Sequence, residues 1–190
     1  VIEWGPATAD RALSVHRLSE FLKVRPSILE APDARHVDFG NQDIEVEGVH
    51  FSYRSDVPVL NDVNFRLKGG MWNGIKAPSG YGKTTLLNLI LRLYDVHGGS
   101  IKIGGCDVRQ IRFKSIAEQM STVPQQMFFP RDTLRRCISY DRESAGLEEI
   151  QQAARSAGLH DFITRLPEGY DTLCGNAASK LSQGQRQRLM

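Results

Sequence analysis

Apolar residues recur at helical spacing near the start of the chain. Ala12, Val15, Leu18 and Leu22 share one face, with Arg11, Arg17 and Glu20 between them, which predicts a helix over residues 7–24. Arg25 and Pro26 end it, because the residue before a proline avoids helical backbone. A polar stretch with Pro and Asp, residues 26–42, reads as a linker. The chain thus divides into a helix and linker, residues 1–41, and a domain, residues 42–190. Ile44, Val46, Val49, Phe51 and Tyr53 predict a strand with one slip near Gly48, the mark of a bulge. Asp56, Val57 and Pro58 turn the chain. Val63, Phe65 and Leu67 alternate with Asn64 and Arg66, a second half-buried strand, and Gly69 and Gly70 break it. Residues 71–76 predict a third strand. It is a poor one, since Asn73, Gly74 and Lys76 sit where a buried strand wants apolar side chains.

Residues 84–93 predict a helix carrying Leu86, Leu87, Leu89, Ile90, Leu91 and Leu93. It is apolar nearly all round, so it should be central. Ile101 and Ile103 form a short strand before Gly104 and Gly105, and residues 120–123 form another, ending at Pro124. From about residue 143 to residue 181 the pattern is mainly helical. One amphipathic helix covers residues 146–157 on Leu147, Ile150, Ala154 and Ala157. A shorter one carries Phe162, Ile163 and Leu166 and stops at Pro167. A last helix starts near Ser182. The expected fold class is α/β: a core around residues 77–93, an antiparallel β region and a helical region.

Composition changes this picture little. The 190 residues suit one large domain, or one with an extension, and 41% hydrophobic content supports a core. The formal net charge is +2 and no Lys/Arg run stands out, so no nucleic-acid partner is expected. The three cysteines, Cys106, Cys137 and Cys174, lack metal-ligand spacing and suggest a reducing compartment. The five histidines are scattered and sit in no motif. No apolar run approaches the roughly 18 residues that a spanning helix needs, and no signal peptide is visible.

The chemistry is concentrated in Ala77-Pro78-Ser79-Gly80-Tyr81-Gly82-Lys83-Thr84-Thr85. This run nearly fits the phosphate-binding loop G-x-x-x-x-G-K-[ST], with Ala77 in place of the first glycine. Glycines let successive backbone N–H groups turn inward and cradle phosphate oxygens. Lys83 adds a positive charge for the β- and γ-phosphates. The Thr84 hydroxyl suits Mg²⁺, which prefers oxygen ligands. The following helix adds its N-terminal dipole. A methyl at Ala77 costs about 1 kcal/mol if φ is positive there.

A second constellation narrows the reading. Leu181-Ser182-Gln183-Gly184-Gln185-Arg186-Gln187-Arg188 resembles the signature motif of ATP-binding-cassette (ABC) ATPases, L-S-G-G-Q-x-Q-R, departing only at Gln183. Other family elements follow in order over residues 42–190. Residues 49–53 resemble the loop whose aromatic residue stacks on adenine. Tyr94, Asp95 and Gly99 to Gly105 resemble the strand and turn after the first helix. Residues 123–126 resemble the Q-loop, with Gln125 as its glutamine. Residues 166–172 and Gly175 resemble the stretch before the signature in exporters. Asn176 and Ala178 replace the usual Glu and Gly of the stretch coupling to membrane helices.

The resemblance implies a P-loop NTPase core of ABC type with an antiparallel β subdomain and a helical subdomain. It implies an ATP sandwich in which two such domains, identical or homologous, pair head to tail. Tyr53 would stack the adenine. Ser79, Gly80, Tyr81, Gly82, Lys83, Thr84 and Thr85 would hold the phosphates. Thr84 and Gln125 would ligate Mg²⁺, and Lys83 and Gln125 would act in catalysis. Ser182, Gly184 and Gln185 would reach the γ-phosphate on the partner. Closure would drive transmembrane domains to export a substrate, with this domain on the cytoplasmic face of the membrane. Residues 1–41, whose helix resembles an exporter's connection from the last membrane span, favour an exporter. A degenerate cassette that binds ATP and regulates without hydrolysis, or a soluble cassette ATPase, is the alternative. In the family, the second metal-binding strand (Walker B), the catalytic glutamate, the D-loop and the switch histidine follow the signature. On that pattern the chain reads as a fragment truncated at its C-terminus, expected to bind ATP poorly and to turn it over slowly by itself.

Overall fold

Alternating side chains build one antiparallel sheet. β1 (Ile44–Phe51) lies between β2 (Leu60–Leu67) and β3 (Gly98–Ile103), and β4 (Cys106–Asp107) follows beyond β3. The computed structural model describes residues 6–54, 56–126, 128–140, 142, 144–175 and 181–190, with side chains from Leu13 onward. These fall into two units, Val1–Ser121 and Thr122–Met190.

In the first unit Val46, Val49, Phe51, Ile101 and Ile103 are buried on one side of the sheet. Helix α2 (Lys83–Ile90) adds Leu86, Leu89 and Ile90 to the same core, and α3 (Phe113–Gln119) adds Ile116. The slip expected near Gly48 is present: the β1–β2 register shifts after Val46 and again after Val49. Gly48 has φ 56°, and its N–H donates to Asn64 Oδ1 at 2.7 Å. Gly99 on β3 crosses this bulge so closely that a Cβ there would lie 2.2 Å from the Gly48 carbonyl oxygen.

Two expected strands are absent from the sheet among the described residues. Residues 71–76 join no sheet among the described residues, and Met71, Trp72 and Ile75 are exposed. Asn73 explains part of this. Its Oδ1 accepts from Lys68 N at 3.1 Å, and its Nδ2 donates to Lys68 O at 2.9 Å and Met71 O at 3.0 Å. These local bonds fold the segment back instead of leaving its backbone for a ladder. Residues 120–123 likewise carry no strand. Met120 N is held by Ile116 O as the C-cap of α3, and Pro124 offers no N–H. Helix α2 is also shorter than its apolar run. It ends at Ile90, because Arg92 takes φ 54°, and Leu87 and Leu93 are exposed. Only one stripe of the helix is covered, not its whole circumference.

Helix α1 (Pro6–Lys23) spans the expected segment, yet Val15, Leu18 and Leu22 on its apolar face are exposed. The polar stretch after it is bound to the unit. Arg35 bridges Ile111 in parallel register, and Phe113 N donates to Glu30 Oε2 at 2.7 Å. Arg92, 5% exposed, donates to Leu29 O at 2.9 Å and Ile111 O at 3.3 Å, and its guanidinium lies 4.7 Å from the Phe113 ring centroid. A buried cation with its donors paired in this way avoids an uncompensated charge.

The second unit contains α4 (Leu134–Ser139), α5 (Leu147–Ser156), α6 (His160–Thr164) and α7 (Gln183–Leu189). They close over Leu134, Ile150, Ala154, Leu159, Ile163, Tyr170, Cys174, Leu181 and Leu189. The helical pattern expected for this region agrees with these elements. Helices α3 and α4 are additions that the apolar pattern did not reveal. Residues 176–180, with the departures at Asn176 and Ala178, lie outside the described residues.

One ion pair gives the first unit an acid dependence. Asp107 Oδ1 accepts from Arg109 N at 2.8 Å and its Oδ2 pairs with Arg109 Nη2 at 2.7 Å. Burial alone would raise the Asp107 carboxyl, but the side-chain and backbone hydrogen bonds from Arg109 outweigh it and hold the group below its usual range. A carboxyl depressed by folding stabilises above its unfolded value, about 3.9, and that stability is lost as pH falls through the folded value. Urea midpoints should therefore drop below about pH 4. Asp107→Asn should lower the midpoint at neutral pH and flatten the acid limb. An acid limb identical in the variant would contradict the assignment.

Candidate functional site

The loop at residues 77–85 turns on two left-handed glycines, Gly80 at φ 85° and Gly82 at φ 76°. A Cβ on Gly82 would lie 2.7 Å from Leu60 Cδ2, so this position also needs the missing side chain for space. A Cβ on Gly80 would meet nothing within 4 Å, because that part of the loop faces open space. Ala77 is not among the non-glycine residues with positive φ, which are Asp62, Arg92 and Tyr140. The methyl that replaces the first glycine therefore adds no left-handed strain.

Gly82 is the N-cap of α2, and no side chain caps this helix start. Its first N–H groups lack intrahelical partners by geometry and are donors aimed out of the helix end. Lys83 opens the helix. Its Nζ donates to Ala77 O at 2.8 Å and Pro78 O at 2.7 Å, so the ammonium is folded over the loop itself. Ser79, Gly80, Tyr81 and Thr84 are exposed, while Thr85 is buried at 6%. The result is a positively polarised surface of backbone donors and one ammonium, suited to a polyphosphate. Of the two expected Mg²⁺ ligands, Thr84 presents an exposed hydroxyl at this helix start. Among the described residues no group of three or more His, Cys, Asp and Glu could hold a metal. The oxygen donors fit a hard cation held largely by water and phosphate.

Tyr53 is half exposed at 49% and belongs to an aromatic cluster. Its ring meets Phe51 edge-on at 5.0 Å and Tyr94 edge-on at 5.1 Å. Its hydroxyl accepts from Asn88 Nδ2 at 3.4 Å. Asn88 lies on α2, so this bond ties the Tyr53 ring to the helix that follows the loop. The sequence marks Phe51 only as a strand position and gives Asn88 no role. The only trace of their role is the spacing that puts Asn88 one turn after Thr84 and Phe51 two residues before Tyr53.

The second unit holds the remaining expected residues. Gln125 is exposed in a bend after Pro124. Ser182 is the N-cap of α7, and a reciprocal capping box forms there. Ser182 Oγ accepts from Gln185 N at 3.3 Å, and Gln185 Oε1 accepts from Ser182 N at 2.9 Å. Gln183 and Gly184 are exposed in the first turn, and a Cβ on Gly184 would meet nothing within 4 Å. Leu181 and Leu189 anchor the two ends of this segment in the helical core.

The family model described as ABC transporter matches residues 60–190, from β2 to the end of α7. The chain belongs to the ABC transporter family. It is 39% identical over 188 residues to an ATP-dependent lipid A-core flippase of Syntrophus aciditrophicus, covering 99% of this chain and 30% of that protein. It is 38% identical over 177 residues to ATP-binding cassette sub-family B member 6 of Rattus norvegicus, covering 93% of this chain and 21% of that one. Among solved structures, a bacterial Atm1-family ABC exporter with ATP bound superposes with a TM-score of 0.84 at 31% identity, covering 96% of this chain and 32% of that one. The chain thus spans under a third of the length of these relatives. Its fold is that of an ABC nucleotide-binding domain, and its relatives are exporters. Among the described residues, no helix is long and apolar enough to cross a membrane.

Proposed function

We propose that this ABC domain binds and hydrolyses MgATP and so powers export of a substrate across a membrane. The uncapped start of α2, with Lys83 folded over an open glycine loop, carries this reading. Polyphosphate arrival would exchange the Lys83 ammonium's bonds to the neutral Ala77 and Pro78 carbonyls for bonds to phosphate oxygens, in which both partners are charged. Backbone N–H groups from Ser79 to Thr85 would take the remaining oxygens. Thr84 and Gln125 would ligate Mg²⁺, which would neutralise charge on the transferring phosphoryl group. Gln125 would also orient the attacking water.

The partner in this reading is a second nucleotide-binding domain, identical or homologous, paired head to tail. The capping box leaves two donors at the start of α7. Ser182 Oγ uses a lone pair for Gln185 N and keeps its O–H; Gln185 uses Oε1 and keeps its Nε2 hydrogens. Those donors, with Gly184 leaving room, suit the partner's γ-phosphate. Transmembrane domains would convert closure of the sandwich into alternating access, with this domain on the cytoplasmic face. The relaxed Ala77 backbone and the exposed Gln183 give no reason to prefer a degenerate, regulatory cassette.

Tyr53 supplies the test of the adenine end. Stacking is worth about 0.5–1.5 kcal/mol, so Tyr53→Ala should weaken ATP binding roughly 2- to 12-fold. Tyr53→Trp should largely preserve it, since stacking asks only for a π face. Titration with a fluorescent ATP analogue, beside inorganic triphosphate as competitor, separates base from phosphate. Equal loss of both ligands in Tyr53→Ala would contradict the adenine role.

A further inference from the structure

The second unit places two of the three cysteines of the chain side by side. Thr133 bridges Leu173 in antiparallel register, Leu134 N donates to Thr172 O at 2.9 Å, and Cys174 N donates to Asp132 O at 2.7 Å. Cys137 sits one helical turn beyond Thr133 on the same face of α4, its N–H bonded to Thr133 O at 2.9 Å. The register therefore brings Cys137 to the side of α4 that faces the Cys174 segment, and Cys137 packs against the same helical core that buries Cys174.

We propose that Cys137 and Cys174 are a redox-convertible dithiol, which hydrogen peroxide joins in an intramolecular disulfide tying α4 to the segment that leads to the signature helix. Their accessibilities assign an order. Cys137 is half buried and lines an open-sided cavity of about 190 Å³ with Ile138, Ala153, Arg188 and Leu189. Cys174 is wholly buried. The Cys137 thiolate attacks one peroxide oxygen, the O–O bond breaks, and hydroxide leaves to become water. The resulting Cys137 sulfenic acid is attacked by the Cys174 sulfur. The S–S bond forms, the S–O bond breaks, and the oxygen leaves as a second water with the Cys174 proton. Two thiols lose two hydrogens and two electrons, and one peroxide gains them.

The surroundings keep the pair reduced at rest. Burial pushes the Cys137 thiol up, and the Asp132 carboxylate adds to this; Arg188 also lines the cavity. Burial and the Cys137 neighbour push Cys174 up to about 12. Thiolate is therefore scarce near neutrality, and oxidation should accelerate as pH rises.

The experiment treats the intact chain with hydrogen peroxide at neutral and mildly alkaline pH, blocks remaining thiols with iodoacetamide under denaturing conditions, and maps non-reduced peptides by mass spectrometry. The expected result is a Cys137–Cys174 linked peptide lighter by two hydrogens, formed faster at the higher pH and reversed by dithiothreitol. Cys106, in β4 of the other unit, should be alkylated throughout. Cys137→Ser should leave Cys174 reduced, and Cys106→Ser should leave the link intact. Cys174 remaining fully alkylatable while Cys137 advances to sulfinic acid would overturn the proposal. So would a link through Cys106.

Discussion

Replacing Lys83 by alanine should cut MgATP affinity roughly 10- to 150-fold, the effect of losing one charge-assisted hydrogen bond worth about 1.5–3 kcal/mol. The fold should survive, because Lys83 Nζ bonds only to two carbonyls of its own loop and no core contact depends on it. Freed of Lys83, the Ala77 and Pro78 carbonyls sit close to solvent and can be hydrated. Lys83→Arg keeps the charge but carries it on a planar fork that matches the loop differently, so it should restore only part of the affinity. Titration with a fluorescent ATP analogue checks all three chains; unchanged affinity in Lys83→Ala removes Lys83 from the site.

Gly99→Ala should damage the fold severely. Two costs add at this position. The backbone is left-handed at φ 76°, and the new Cβ would lie 2.2 Å from Gly48 O and 2.3 Å from Glu47 O. Those atoms are backbone within the β1 bulge and cannot swing aside as a side chain could. Overpacking and left-handed strain together should cost about 2–5 kcal/mol. Gly105→Ala is the matched control. It has φ 80° but a Cβ there would meet nothing within 4 Å, so only the conformational cost of about 1 kcal/mol remains. Urea unfolding of the two variants measures the difference. Equal losses would mean that the crossing of β3 over the bulge has room to relax.

The bulge itself was legible from the chain, because the apolar positions of β1 change phase at Gly48. The crossing by Gly99 was not, since nothing local to residues 98–103 announces a contact made 51 residues earlier in the chain. The glycine loop before α2 is legible for a similar reason: its pattern is confined to consecutive residues. Residues 71–76 misled in the opposite direction. Their composition already argued against a buried strand, and Asn73 made the alternative local turn explicit. Helix α2 is shorter than its apolar run because leucine content says how apolar a segment is, not how far its backbone stays helical; Arg92 decides that with its left-handed φ. Helix α4 escaped notice because Arg135 and Arg136 interrupt the apolar period on a helix of only 6 residues. The Tyr53–Asn88 bond joins residues 35 apart and has no counterpart in any local pattern. For the signature, the sequence predicts a helix starting near Ser182; the reciprocal cap between Ser182 and Gln185 is a property of the fold.

The central claim is that the loop before α2 holds the phosphates of MgATP. Amide NMR of the chain, titrated with MgATP to millimolar concentration, tests it most directly, because it detects weak binding and reports on each N–H separately. The largest shifts are expected at Gly80, Tyr81, Gly82, Lys83, Thr84 and Thr85, with smaller ones beside Tyr53, and their loss in Lys83→Ala. Saturable shifts centred elsewhere, with the amides of residues 79–85 unmoved, would contradict it.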